Sequence, residues 1–230
     1  MKILRVAVLF LVCLTHSAAY SIYFNSLNIR SFDGTNGIGE VDIYEFIDYI
    51  NVDDEIQIDV SIIFNSNRRI PSKMFGYGWW FGLTDSYISK VSHDSYKFVK
   101  PNRDELILRQ DLKNKERFNS EISGYKLEKE GNGYLIYGCC GESFYYEKNI
   151  LTQTRYENGT VLSFKYEKGK LKEVISNNKP VLSFRYENDD VIYMDLIEKK
   201  RTIRFKLMEV PGYGKLLSEY ADFPEAKRLK

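Results

Sequence analysis

The sequence predicts an all-β fold of antiparallel β-hairpins stacked into a twisted sheet. Three observations predict it. Phe144, Phe164 and Phe184 recur at a spacing of 20, together with Tyr146, Tyr166 and Tyr186 and with Glu147, Glu167 and Glu187. Leu151, Leu171 and Val191 keep the same step, and Phe205 follows Phe184 after 21. A fixed period is the signature of stacked structural units. The composition, with 18 Tyr and 14 Phe but only 5 Pro, suits strands. Finally, Ile56, Ile58, Val60, Ile62 and Phe64 alternate with Gln57, Asp59, Ser61 and Ile63, the pattern of a half-buried strand.

Each 20-residue unit carries hairpin chemistry. In Ser163-Phe164-Lys165-Tyr166 successive side chains point to opposite faces, which puts the two rings together and Ser163 and Lys165 opposite them. A turn signal follows at Glu167-Lys-Gly-Lys170, with Asn149 and Asp189 in the slot of Gly169; all three tolerate the left-handed backbone region. Leu171 to Ile175 forms a second strand, and Asn158-Gly159 or Asn177-Asn178 forms the next turn. A single hairpin is marginal in water, so the units must stack to bury Phe144, Tyr146, Phe164, Tyr166, Phe184, Tyr186 and Phe205 as a repeat core.

These units resemble the YD repeats of RHS proteins, whose unit runs roughly Phe-x-Tyr-Asp-x-x-Gly-Arg-Leu. Glu replaces Asp after each Tyr, and only the middle unit keeps both the Gly and a basic residue before Leu. A second likeness precedes the repeats. Phe64-Asn65-Ser66, then Phe75-Gly76-Tyr77-Gly78-Trp79, is similar to the N-terminal RHS module, where a Tyr-Asn-Ser strand end leads into Phe-Gly-Tyr-Gly-Trp. The resemblance implies an RHS-like spiral sheet, with a module over 20–142, repeats over 143–207 and a tail over 208–230. It implies the opening part of a repeat shell without its cargo. The chain has no Asp-Pro of the self-cleavage motif, and 23 residues after the last repeat hold no toxin domain.

From the N-terminus, residues 1–19 read as a secretory signal: Lys2 and Arg5, an apolar run from Val6 to Leu14, then Ser17-Ala18-Ala19 before the cut. The run is too short for a membrane span, and no later run approaches that length. The expected location is secreted, cell-surface or periplasmic. Lys and Arg number 33 against 32 Asp and Glu, and losing Lys2 and Arg5 leaves one net negative charge. That balance argues against nucleic acid as the main partner. Cys13 leaves with the signal. Cys139 and Cys140 read as two small buried thiols in a strand, since adjacent cysteines seldom bond to each other.

Asp33 to Gly39 reads as a plain loop, and Asn51 to Asp54 as the hairpin loop that joins strands 41–50 and 56–64. Tyr77, Trp79 and Trp80 are the candidate ligand-binding residues, as stacking platforms for a glycan. A core-plug role competes with that reading and is favoured for glycine-interleaved aromatics, with Trp80 the better candidate for an exposed face. Further strands are expected near 86–91, 96–99, 105–108, 124–127 and 133–137. Arg109 to Ser123 is expected as a charged surface loop with one helical turn, and Lys215 to Phe223 as a short helix with Leu216, Leu217 and Tyr220 on one side.

No residues carry the spacing of a metal site, a cofactor loop or a nucleophile pair, so no catalytic residue, metal or cofactor is assigned; His93 is the one histidine beyond the signal. The favoured reading is therefore a non-enzymatic structural or binding protein, with a glycan or another β-repeat protein as partner, or self-association through open sheet edges. Two alternatives stand beside it: a carboxylate-based glycan hydrolase, and a truncated RHS remnant that needs a partner.

Overall fold

The computed structural model describes residues 8–9, 21–22, 28–33, 40–52, 56–65, 71–120, 123–212 and 214–224. The expected signal segment 1–19 falls almost wholly outside the described residues, as do the body of the 33–39 loop and the second half of the 51–54 turn. Twenty-two strands and no helix occur among the described residues. The first eight are β1 (Val8–Leu9), β2 (Ser21–Ile22), β3 (Asn28–Asp33), β4 (Glu40–Asn51), β5 (Gln57–Asn65), β6 (Pro71–Ser72), β7 (Gly76–Tyr77) and β8 (Trp79–Phe81). Then come β9 (Tyr87–Lys90), β10 (Ser95–Val99), β11 (Glu105–Gln110), β12 (Arg117–Asn119), β13 (Lys126–Glu130) and β14 (Gly133–Tyr137). The repeat region supplies β15 (Ser143–Glu147), β16 (Ile150–Arg155), β17 (Val161–Glu167), β18 (Lys170–Ser176), β19 (Lys179–Glu187), β20 (Val191–Leu196) and β21 (Arg201–Val210), and the tail supplies β22 (Gly214–Pro224).

The chain divides into two compact units: residues 1–47, 61–80 and 182–230 in one, 48–60 and 81–181 in the other. In the second unit, strands β9 to β18 pair antiparallel in chain order, so each strand's backbone groups meet those of its sequence neighbours. The order ends on β9, without closing into a barrel. In the first unit, β19 to β22 pair antiparallel in chain order, and β22 then takes β7 as its other neighbour through Leu216 and Gly76.

The repeats keep one register. Phe144 faces Thr154, Phe164 faces Val174 and Phe184 faces Met194, so each pairing is the previous one moved by 20. Phe144, Phe164, Phe184 and Phe205 are all buried in their units, as expected for the repeat core. Tyr146 is also buried, whereas Tyr166 and Tyr186 are half-buried. The hydroxyl of Tyr146 donates to Ser86 Oγ at 2.7 Å, and that of Tyr166 to the Leu151 carbonyl at 3.0 Å. Those bonds let tyrosine fill a core column that phenylalanine would otherwise fill.

The hairpins differ in how they place one odd residue. In the first two, Lys148-Asn149 and Lys168-Gly169 turn with positive φ at both positions, the two-residue geometry that matches strand twist. Beyond the turn, Thr152 and Lys172 are left without a cross-strand partner as β-bulges. The third hairpin has no bulge and turns through three residues, Asn188 to Asp190, with the positive φ at Asn188. This corrects two expectations. Asp189 does not hold the left-handed slot, and Val191 is not the third member of the leucine column. The residue facing Tyr186 is Ile192, buried like Leu151 and Leu171, because the odd residue has moved from the strand into the turn.

The expected helix at 215–223 is instead β22. A bulge at Ser218 puts Leu217 and Tyr220 on one face although they are three apart, and that spacing imitates a helical stripe. Ser218 Oγ donates to the Lys206 carbonyl at 3.0 Å. Among the described residues of 109–123 the structure has strand β12 rather than a helical turn, because Phe118 is buried and pairs with Leu127. Alternation in β5 holds only to Asp59; Val60 to Phe64 are buried on both faces.

The Phe-Gly-Tyr-Gly-Trp segment packs in the first unit. Phe75 and Phe205 rings lie 4.8 Å apart, Trp79 and Phe64 lie 5.2 Å apart, and the Leu217 N–H donates to the Phe75 carbonyl at 3.0 Å. Gly76 is required by close approach: a Cβ there would sit 1.8 Å from the Lys215 carbonyl oxygen, and φ is +85°.

Candidate functional site

Trp79 and Trp80 are 0% and 2% exposed, so neither ring offers a face to a ligand, and Trp80 does not occupy an exposed face. The physical reason is that all three residues of β8 are covered, so alternation does not free every second side chain. Both tryptophans therefore fit the competing core-plug reading. Tyr77 is half-buried. Among the described residues, the exposed tyrosines are Tyr49 at 43% and Tyr137 at 40%. His93 lies at the β9–β10 turn with its side chain 90% exposed, 3.9 Å from Asp94. Ser92 Oγ donates to Asp94 rather than to the imidazole, so the turn is no nucleophile–base pair.

Chemistry-bearing side chains converge elsewhere, at the turn between β14 and β15. The strands end at the Tyr137–Ser143 pair, and the Gly138 N–H donates to the Glu142 carbonyl at 2.7 Å. Cys139 and Cys140 sit on the loop that this bond closes. Both are free and exposed, with their sulfurs 3.3 Å apart. This corrects the expectation of two buried thiols in a strand: Gly138 and Gly141, the latter at φ +80°, end the strand and bend the chain outward.

Glu142 anchors the turn from below. Its Oε2 accepts the Cys140 N–H at 3.1 Å and its Oε1 accepts the Tyr125 hydroxyl at 2.8 Å. Tyr125 is buried against Phe98, with ring centroids 6.0 Å apart. Burial, the hydrogen bond to Glu142 and its negative charge raise the Tyr125 hydroxyl well above its ordinary range, so it stays a donor. The thiol of Cys140 is also pushed up, first by its hydrogen bond and charge coupling with Cys139, then by the charge of Glu142 and, last, Glu157. Tyr156 is raised too, by burial and then by Glu142.

Tyr125 also lines an open polar cleft of about 230 Å³, formed with Asp111, Arg117, Asn119, Ser120, Gly124 and Lys126. A Cβ on Gly124 would meet the Cys139 Cβ at 3.6 Å, so the cleft and the dithiol turn are neighbours. Asp111 accepts backbone N–H groups of Lys113 at 2.7 Å and Asn114 at 3.3 Å, and the Asn119 amide at 3.0 Å. The Lys113 N–H is the largest cause holding its carboxyl below the usual range, so it is an ionised acceptor and not a proton donor. Arg117 Nε donates to Glu128 at 2.7 Å. The cleft can hydrogen-bond a small polar ligand, and the turn can undergo thiol chemistry.

Among the described residues, no cluster of three or more His, Cys, Asp or Glu has the arrangement of a metal site. None of the residues around the cleft or the turn belongs to the sequence-predicted set. The glycines flanking Cys139-Cys140 are the signal that marks a turn there.

Fold and site together define a class: an antiparallel β-repeat protein with a polar cleft and an exposed dithiol turn at the strand ends. Compared with known proteins, the chain matches no family model and no curated protein.

Proposed function

We propose that the chain is an exported, non-enzymatic structural or binding protein, built like the opening part of an RHS repeat shell without toxin cargo. The observation that supports this is the constant register of the repeats, with Phe144, Phe164 and Phe184 paired at the same step and buried. Such a register serves a scaffold, in which each hairpin's function is to continue its neighbour. Its partner is a glycan or another β protein. The sheet order that ends on β9 leaves a strand edge of the kind on which β proteins pair. An exposed tyrosine such as Tyr137 supplies the stacking ring that buried Trp79 and Trp80 do not.

The test has two arms. The chain is expressed with residues 1–19 and the secreted product is sequenced from its N-terminus, with a start at Tyr20 expected. The product is then incubated with insoluble cell-wall glycan and sized by light scattering with and without soluble glycan fragments. Retention on the glycan, reduced by Tyr137→Ala, supports the reading, and so does concentration-dependent self-association. A strict monomer that binds no glycan overturns it. Release of soluble sugar that vanishes in Asp111→Asn replaces it with the hydrolase.

A further inference from the structure

We propose that Cys139-Cys140 is a two-electron redox site, a vicinal dithiol that a small-molecule disulfide of the glutathione class oxidises to an intramolecular disulfide. Three observations carry this. The sulfurs already lie 3.3 Å apart on one side of a loop. Both are exposed, so a small disulfide reaches them. The loop is braced at its base by the Gly138 N–H to Glu142 carbonyl bond, so the pair stays together when one sulfur is modified.

The chemistry balances without a metal. One cysteine thiolate attacks a sulfur of the small disulfide, forms a mixed disulfide and expels one small thiolate. The neighbouring thiolate then attacks the modified cysteine sulfur, forms the Cys139–Cys140 bond and expels the second small thiolate. The two cysteines lose two electrons and two protons; the small disulfide gains both and leaves as two thiols.

The ring spans a single peptide bond. Its Cα atoms are held about 3.8 Å apart, short of the roughly 4.4 Å at which ordinary disulfides begin. Such a bond is reduced more easily than a structural one, which makes the pair a reversible switch and not a staple. Closing it must also turn the Cys139–Cys140 peptide. The Cys140 N–H then leaves Glu142, the carboxylate that holds the Tyr125 hydroxyl at the cleft wall.

The test uses the folded chain in a Cys13→Ser background, so that the turn holds every thiol, with Cys139→Ser and Cys140→Ser as partners. Each protein is treated with oxidised glutathione and its intact mass is read. The expected result is loss of two hydrogens with no retained adduct, reversed by a monothiol without denaturant. Each single variant is expected to retain one glutathione. Three results overturn the proposal: stable adducts with both cysteines present, a disulfide-linked dimer as the main product, or no reaction when folded while the denatured chain reacts.

Discussion

Replacing Phe164 with alanine removes a ring that is 5% exposed, so nearly all of its apolar surface is lost from the core. The transfer term for such a ring is about 2–3 kcal/mol. The hole adds to it, because the facing Val174 and the flanking Leu162 are fixed by the strand ladder and cannot collapse inward. The total is about 3–5 kcal/mol, which lowers Tm by about 6–20 °C for a chain of this size. The control is its neighbour Lys165, whose ammonium meets Glu173 at 3.5 Å on the exposed face. Lys165→Ala should cost about 0–1 kcal/mol. Urea unfolding followed by far-UV circular dichroism measures both, with the slope unchanged if only stability moves. Phe184→Ala should behave like Phe164→Ala in its own unit, where Trp79 and Trp80 fluorescence reports the loss. A cost below about 1 kcal/mol for Phe164→Ala, or an equal cost for Lys165→Ala, refutes the reasoning.

Deleting Lys172 should be tolerated, because this bulge residue is skipped in the ladder, its removal leaves every pairing of β17 with β18 intact, and its ion pair with Glu167 is on the exposed face. Deleting Ile175 shifts the strand end by one position and should abolish cooperative unfolding. Thermal melts of the two deletions distinguish these outcomes. Gly76→Ala should cost more than about 1 kcal/mol from the left-handed backbone alone, with the Lys215 carbonyl contact added; an unchanged melting curve would contradict the packing of β7 on β22. The alkylation rate of Cys140, followed with Cys139 present, should keep rising to higher pH than that of a free thiol, first because Cys139 hydrogen-bonds and couples to it, and Cys139→Ser should move the midpoint down. Negative charge at Glu142 and Glu157 opposes its ionisation. Glu142→Gln removes one of those charges and should move the midpoint down; an unmoved midpoint would exclude Glu142 as a cause.

The repeat core was legible in the sequence because strand alternation and a fixed step both point at Phe144, Phe164 and Phe184. The finer columns were not. A bulge and a three-residue turn both absorb one residue, so counting alone cannot tell Val191 from Ile192 as the partner of Tyr186. The same ambiguity made Leu217 and Tyr220 look helical when a bulge at Ser218 had separated them. Trp80 is covered, against the expectation of an exposed face, because β8 has no open face. The candidate site was the least legible part. Cys139, Cys140, Glu142, Tyr125 and Asp111 come from three separate strand ends, and only the flanking Gly138 and Gly141 hinted that the two thiols stand on a turn.

Cross-strand nuclear Overhauser contacts between backbone protons test the account most directly, read for the three repeats in one labelled sample. The account predicts contacts joining Phe144 to Thr154, Phe164 to Val174 and Phe184 to Met194, with Thr152 and Lys172 skipped and nothing skipped in the third hairpin. Sequential helical contacts through these segments, or any one of the three phenylalanines paired a single residue out of step, would contradict it.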